Sequence, residues 1–158
     1  METVSKEIRV DGRLRLPPGQ RLTDGWPVLH YGSIPRIDLD NWQFHAWGLV
    51  EKEQKWNWEE FNALGTIEDT SDIHCVTTWS KYDNTWEGIP FEAFLEKVKP
   101  KATAKYVMVH SYGGYTTNIP LADLKKDGVL FAHSHNGKPL EKEHGWPLRL
   151  LVPELYFW

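Results

Sequence analysis

Apolar residues alternate with a period of two in short runs, and glycine, proline or asparagine cuts almost every run. That pattern constrains the fold more than any other feature of the chain. Tyr106 to Ser111 puts Tyr106, Met108 and His110 on one side and Val107, Val109 and Ser111 on the other. Gly113-Gly114 makes a turn, and Tyr115 to Ile119 returns as a second strand. Val129 to His135 reads as a strand closed by the tight turn Asn136-Gly137. Trp42 to Val50 alternates, with Trp42, Phe44 and Ala46 on the buried face, and Glu51 to Lys55 forms a charged hairpin tip. Thr66 to Thr70 and Ile73 to Thr78 read as strand, with Asp72 between them as a turn or bulge, and Lys81 to Thr85 reads as a polar loop. Leu148 to Val152 is the most apolar strand and carries one cation, Arg149, which needs a partner if buried.

Helical signals are few and short. Asn57 caps a short helix with Glu59 and Glu60 in its first turn, and Phe61 and Leu64 face inward. Pro90 opens a second helix, in which Phe91, Phe94, Leu95 and Val98 share one face and which Pro100 ends. Leu121 to Lys126 is a helical turn. Many strands with two or three short helices predict an α+β fold built on mixed or antiparallel β-sheets or a barrel. Residues 1–22 read as an N-terminal arm, lying on the body or flexible, and residues 23–158 as one domain. The segment Trp26 to Pro35 is an extended surface loop, since two prolines and a glycine forbid regular structure there.

Charge and cysteine content narrow the function classes. The 18 basic and 22 acidic residues are interspersed for a net charge of −4, so no basic face for nucleic acid is expected. No stretch is long and apolar enough to span a bilayer, and the first residues carry no export signal. A single cysteine cannot form an internal disulfide, which suits a reducing, cytoplasmic setting.

That cysteine, Cys75, lies within the β-branched run Ile73-His74-Cys75-Val76-Thr77-Thr78-Trp79-Ser80. A lone cysteine in such a run reads first as a small core residue. His74 cannot readily activate it as a nucleophile, because strand neighbours point to opposite faces. His133 and His135, two apart on a strand, share a face and with His110 could build a histidine metal site, although no carboxylate or second cysteine stands at ligand spacing. No glycine-rich phosphate loop is present.

The remaining signals run in order along the chain: Cys75-Val76 followed by Trp79-Ser80, then Trp86-Glu87-Gly88, then Ser111, then Asn136-Gly137-Lys138-Pro139-Leu140 and His144-Gly145-Trp146-Pro147-Leu148-Arg149. Together they resemble the molybdopterin domain of the sulfite oxidase superfamily over roughly residues 26–158. The segment around Cys75 is similar to the methionine sulfoxide reductase side of that group. The resemblance implies a molybdenum-molybdopterin cofactor and two-electron oxygen-atom transfer to or from a small substrate. It implies Cys75 as the molybdenum ligand, with His144 and Arg149 on the pterin and its phosphate, Ser111 against the cofactor, and the loop His30-Tyr31-Gly32 closing over it. Trp79, Lys81 and Asp83 would lie near the substrate mouth, and an unidentified electron donor or acceptor would complete the cycle.

Two departures from the superfamily stand out. The arginine pair that follows the cysteine on the sulfite oxidase and nitrate reductase side is absent. The sequence also stops at Trp158, short of a strand that helps hold the phosphate in relatives, so weaker cofactor retention or an empty site is expected. A non-catalytic relative of the same fold, or a histidine-metal barrel, are the alternatives.

Overall fold

The computed structural model describes residues 7–156, so residues 1–6 of the expected arm and the terminal Phe157-Trp158 lie outside it. Its elements follow in the order β1 (Arg21–Leu22), β2 (Phe44–Ala46), β3 (Gln54–Trp56), α1 (Trp58–Asn62), β4 (Ile67–His74), β5 (Trp79–Pro90), α2 (Phe91–Val98), β6 (Tyr106–His110), β7 (Thr116–Pro120), α3 (Leu121–Leu124), β8 (Leu130–His135), β9 (Lys138–Pro139) and β10 (Arg149–Leu151). This is the expected α+β architecture of mixed sheets with a few short helices.

A six-stranded sheet organises the molecule, and β5 is its spine. Along one edge β5 pairs antiparallel with β4. Its other edge is shared: β1 runs parallel to Trp79 and Ser80 at the start, and β8 runs antiparallel from Trp86 to Pro90 at the end. β9 and β10 then pair with β8. β2 with β3, and β6 with β7, form two separate hairpins.

Residues 7–22 lie against the body. Arg9 and Arg13 each bond Glu154, and Arg15 bonds Asp72 through two nitrogens. The end of the expected arm, Arg21–Leu22, forms β1 of the main sheet, paired with Trp79 and Ser80.

Local chemistry explains most elements. Asn57 and Glu60 form a reciprocal capping box at α1. Phe91, Phe94 and Val98 bury one face of α2, as their spacing predicts. They join Trp42, Trp56, Phe61 and Phe131 in an aromatic core, where Phe44 stacks on Phe61 at 4.3 Å. Gly88 sits at a bulge between β5 and β8, and a Cβ there would stand 2.1 Å from the Phe131 carbonyl oxygen.

Two local expectations are corrected. Lys81 to Thr85 is not a loop but part of β5, because β4 partners Lys81, Asn84 and Thr85 on either side of the irregularity at Tyr82 and Asp83. Asp83 bends that strand with φ +53°. The strand expected through Thr78 ends at His74, and Cys75 to Thr78 make the turn into β5. The bulge expected at Asp72 is present, where the β4–β5 register shifts between Ser71 and Ile73.

Candidate functional site

Cys75 opens the β4–β5 turn. Its N–H donates to Trp79 O at 2.9 Å, and its carbonyl accepts from Thr78 N at 2.9 Å. Thr78 closes the turn at φ +77°, a strained conformation for a β-branched residue. The Cys75 sulfur lies 3.1 Å from Thr77 Oγ1, while Val76 at the tip is exposed. Cys75 itself is buried in a second apolar cluster with Ile73, Trp79, Trp86, Leu130, Ala132, Leu140 and Leu151. Trp26 and Trp146 pack on that cluster from outside.

Trp26 links the cysteine's cluster to Arg149 and two histidines. Its ring stacks on His144 at 3.8 Å and meets His135 at 4.7 Å and Trp86 at 5.5 Å. The Arg149 guanidinium lies 5.4 Å from the same ring and donates from Nη1 to His144 O at 3.0 Å. Arg149 Nε is sealed from solvent, and burial pulls the group's pKa down to about 10. His135 is pushed down to about 4, first by burial and then by the charges of Lys81, His144 and Arg149. His144 is lowered by burial and by Arg149. Burial is the main cause of all three shifts, and the Arg149 charge adds to it at the two histidines.

His135 also has a defined tautomer. Asn84 donates its amide hydrogens to Ser71 O and Lys81 O, so its Oδ1 accepts the bond at 2.9 Å from His135 Nε2–H. Lys81 donates to Asp24 O at 2.7 Å and thereby ties the segment before Trp26 to β5.

The residues singled out from sequence fall into three groups. Cys75 and Trp79 share the second apolar cluster, His144 and Arg149 meet Trp26 beside it, and Lys81 bonds Asp24 O just before Trp26. Tyr31 packs on Tyr115 at 5.2 Å, which brings the His30–Gly32 loop to the β6–β7 turn where Ser111 is exposed; His30 Nδ1 bonds Gly32 O. Asp83 goes elsewhere: its carboxylate accepts from Arg15, and its N–H donates to Asp72. Trp26, Asn84 and the cationic setting of His135 escaped the sequence reading. Trp26 was placed in a surface loop without a role of its own, and Asn84 sat in a presumed loop.

The histidine-metal reading finds no support. Among the described residues, no three His, Cys, Asp or Glu side chains are grouped to hold a metal. His110 lies in the separate β6–β7 hairpin, with its ring 5.2 Å from Trp47. His133 falls at the β5–β8 bulge and bonds Ser134, whereas His135 bonds Asn84. The bulge breaks the two-residue alternation on which a shared face depended.

These residues fit molybdopterin. A soft sulfur is held by a tight turn, the part-buried Arg149 guanidinium suits a phosphate, and the flat ring of Trp26 lies between the cysteine's cluster and Arg149. The sequence comparisons agree. Residues 31–158 match the model of the oxidoreductase molybdopterin binding domain, and the chain belongs to that family. Molybdenum-molybdopterin is therefore its cofactor class, and oxidoreductase its class of protein.

Among its relatives is the uncharacterized oxidoreductase YuiH of Bacillus subtilis, 43% identical over 91% of this chain and 73% of that protein. The putative protein-methionine-sulfoxide reductase subunit YedZ1 of Azospira oryzae is 28% identical over 86% of this chain, which spans about half (53%) of its length. A Fusarium oxysporum NADPH nitrate reductase is 29% identical over 80% of this chain but only 17% of its own length. The fold is shared with the sulfane dehydrogenase SoxCD of Paracoccus pantotrophus, with a TM-score of 0.69 and 20% identity over 79% of this chain and 37% of that one. None of the helices among the described residues is long and apolar enough to cross a membrane.

Proposed function

We propose that the chain holds molybdopterin between the Cys75 turn and the Lys81, His135, His144 and Arg149 group, and carries out oxygen-atom transfer to or from a small substrate such as a sulfoxide or sulfite. The observation that carries this reading is Trp26, which joins the cysteine's apolar cluster to His144 and Arg149. When bound, the cofactor supplies two-electron redox chemistry at molybdenum.

The chain's own residues bind and orient. Cys75 offers the metal a thiolate, fixed by its bonds to Trp79 and Thr78. Arg149 presents a planar fork of donors to the phosphate, with His144 held beside it through its carbonyl. Trp79 and Trp86 keep water from the base of the turn. Ser111 and the His30–Gly32 loop, brought together by Tyr31 and Tyr115, would contact the pterin. Lys81 stands at the mouth, where its charge favours anionic substrate groups. Asp83, engaged with Arg15, supports the strand that carries Lys81 and does not touch substrate. An electron donor or acceptor outside this chain completes the cycle, and a reducing cytoplasmic compartment keeps Cys75 free for the metal. The missing arginine pair favours a sulfoxide over small oxyanions.

The test is turnover of methionine sulfoxide, sulfite and nitrate with a redox dye, after expression in a host that makes the cofactor. The expected result is sulfoxide turnover that Cys75→Ser abolishes. Full turnover by Cys75→Ser, or a wild-type chain without molybdenum, would contradict the reading.

A further inference from the structure

The family match begins at residue 31, yet an earlier side chain closes on the cysteine turn. Gln20 is half-buried. Its Nε2 donates to Cys75 O at 3.0 Å, and its Oε1 accepts from Ser80 Oγ at 3.0 Å. Ser80 is fully buried and also bonds His74 Nδ1 at 2.8 Å. One amide side chain therefore bridges both sides of the turn. Backbone bonds flank it, from Arg21 N to Thr78 O and from Thr23 N to Ser80 O.

We infer that Gln20 is a positioning residue for the Cys75 sulfur, so that the segment before the matched domain completes the site. The inference rests on Cys75 being the metal ligand. The Cys75 carbonyl accepts from both Thr78 N and Gln20 Nε2, one from within the turn and one from outside. Two donors on one oxygen fix the plane of the Cys75–Val76 peptide. That plane sets the direction in which the Cα–Cβ bond aims the sulfur. Without the Gln20 amide, the turn keeps its internal bonds and the backbone bonds from Arg21 and Thr23 on its far side, but Cys75 O loses its outside donor, and the sulfur samples a wider range of directions. The arm's ion pairs do not substitute, since they reach Glu154, Asp72 and Asp83 rather than the turn.

Two substitutions separate the halves of the bridge. Gln20→Glu keeps an acceptor for Ser80 but removes the donor to Cys75 O. Gln20→Met removes both. Arg13→Gln serves as a control that loosens the arm alone. Two quantities are read: the rate of Cys75 alkylation by iodoacetamide at fixed pH in cofactor-free protein, and the sulfur-to-molybdenum absorption band with its linewidth in loaded protein. Both Gln20 variants are expected to raise the alkylation rate about three- to tenfold, the range that losing one hydrogen bond of ordinary net strength allows. They are also expected to shift or broaden the band, with Arg13→Gln matching the wild type in both. Unchanged rate and band in both Gln20 variants would overturn the inference, as would an equal change in Arg13→Gln. A Cys75→Ser chain that keeps molybdenum and the band would instead remove the reading on which the inference rests.

Discussion

Asn84 carries more structure than any other polar side chain near the site. It is fully buried, donates to Ser71 O and Lys81 O, and accepts from His135. Asn84→Ala leaves those groups without their partner, and the expected loss is about 1–3 kcal/mol in chemical denaturation. A neutral result would show that water replaces the amide. His135 gives a pH signature of its own. Its folded pKa of about 4 lies below the 6.5 of an unperturbed histidine. Below 6.5 the unfolded chain therefore takes up a proton that the folded chain refuses until about 4, so stability falls as pH drops through that window. The midpoint of thermal unfolding, followed from pH 7 to pH 5, is expected to fall more steeply in the wild type than in His135→Gln. Parallel curves would show that His135 is protonated alike in both states. At this scale the cysteine, His144 and Arg149 were legible in the sequence as part of an ordered resemblance. Trp26, Asn84 and Gln20 were not, because each acts through a contact distant in sequence and carries no short motif.

The β4–β5 turn and the β5–β8 bulge are the elements on which the site depends. Period-two patterning made the β6–β7 and β8–β9 hairpins and the buried face of α2 legible. It failed at Lys81 to Thr85, where polar residues lie within a strand because β4 supplies the backbone partners. It failed again at His133, since a bulge inserts one residue and sequence alternation cannot announce it. Gly88 is the counterpart of that bulge. Any side chain there collides with the Phe131 backbone, so Gly88→Ala is expected to cost roughly 1–3 kcal/mol or to shift β8, the overpacking range. Because β8 carries His135 and pairs with the Arg149 strand, molybdenum retention should fall with stability. Unchanged unfolding and unchanged metal would show that β8 yields without cost.

Over the whole molecule, one long strand gathers parts contributed from distant points in the sequence. β5 meets the cysteine turn at its start, carries Lys81 and Asn84 along its length, and hands on to β8 and β10, which bring His135 and Arg149. The segment before residue 31 is stitched to the same strand by β1, Gln20 and the bond from Lys81 to Asp24. The family and the fold follow from this arrangement together with the sequence match, whereas the substrate depends on side chains at the rim. In the proposed function, Cys75 ties molybdenum to this frame. Elemental analysis of wild-type and Cys75→Ser protein, expressed together with cofactor synthesis and read beside the visible sulfur-to-metal band, tests it most directly. Molybdenum bound to the wild type, with the band lost and the metal reduced in Cys75→Ser, is the expected outcome. Equal molybdenum and an identical band in both proteins would contradict it.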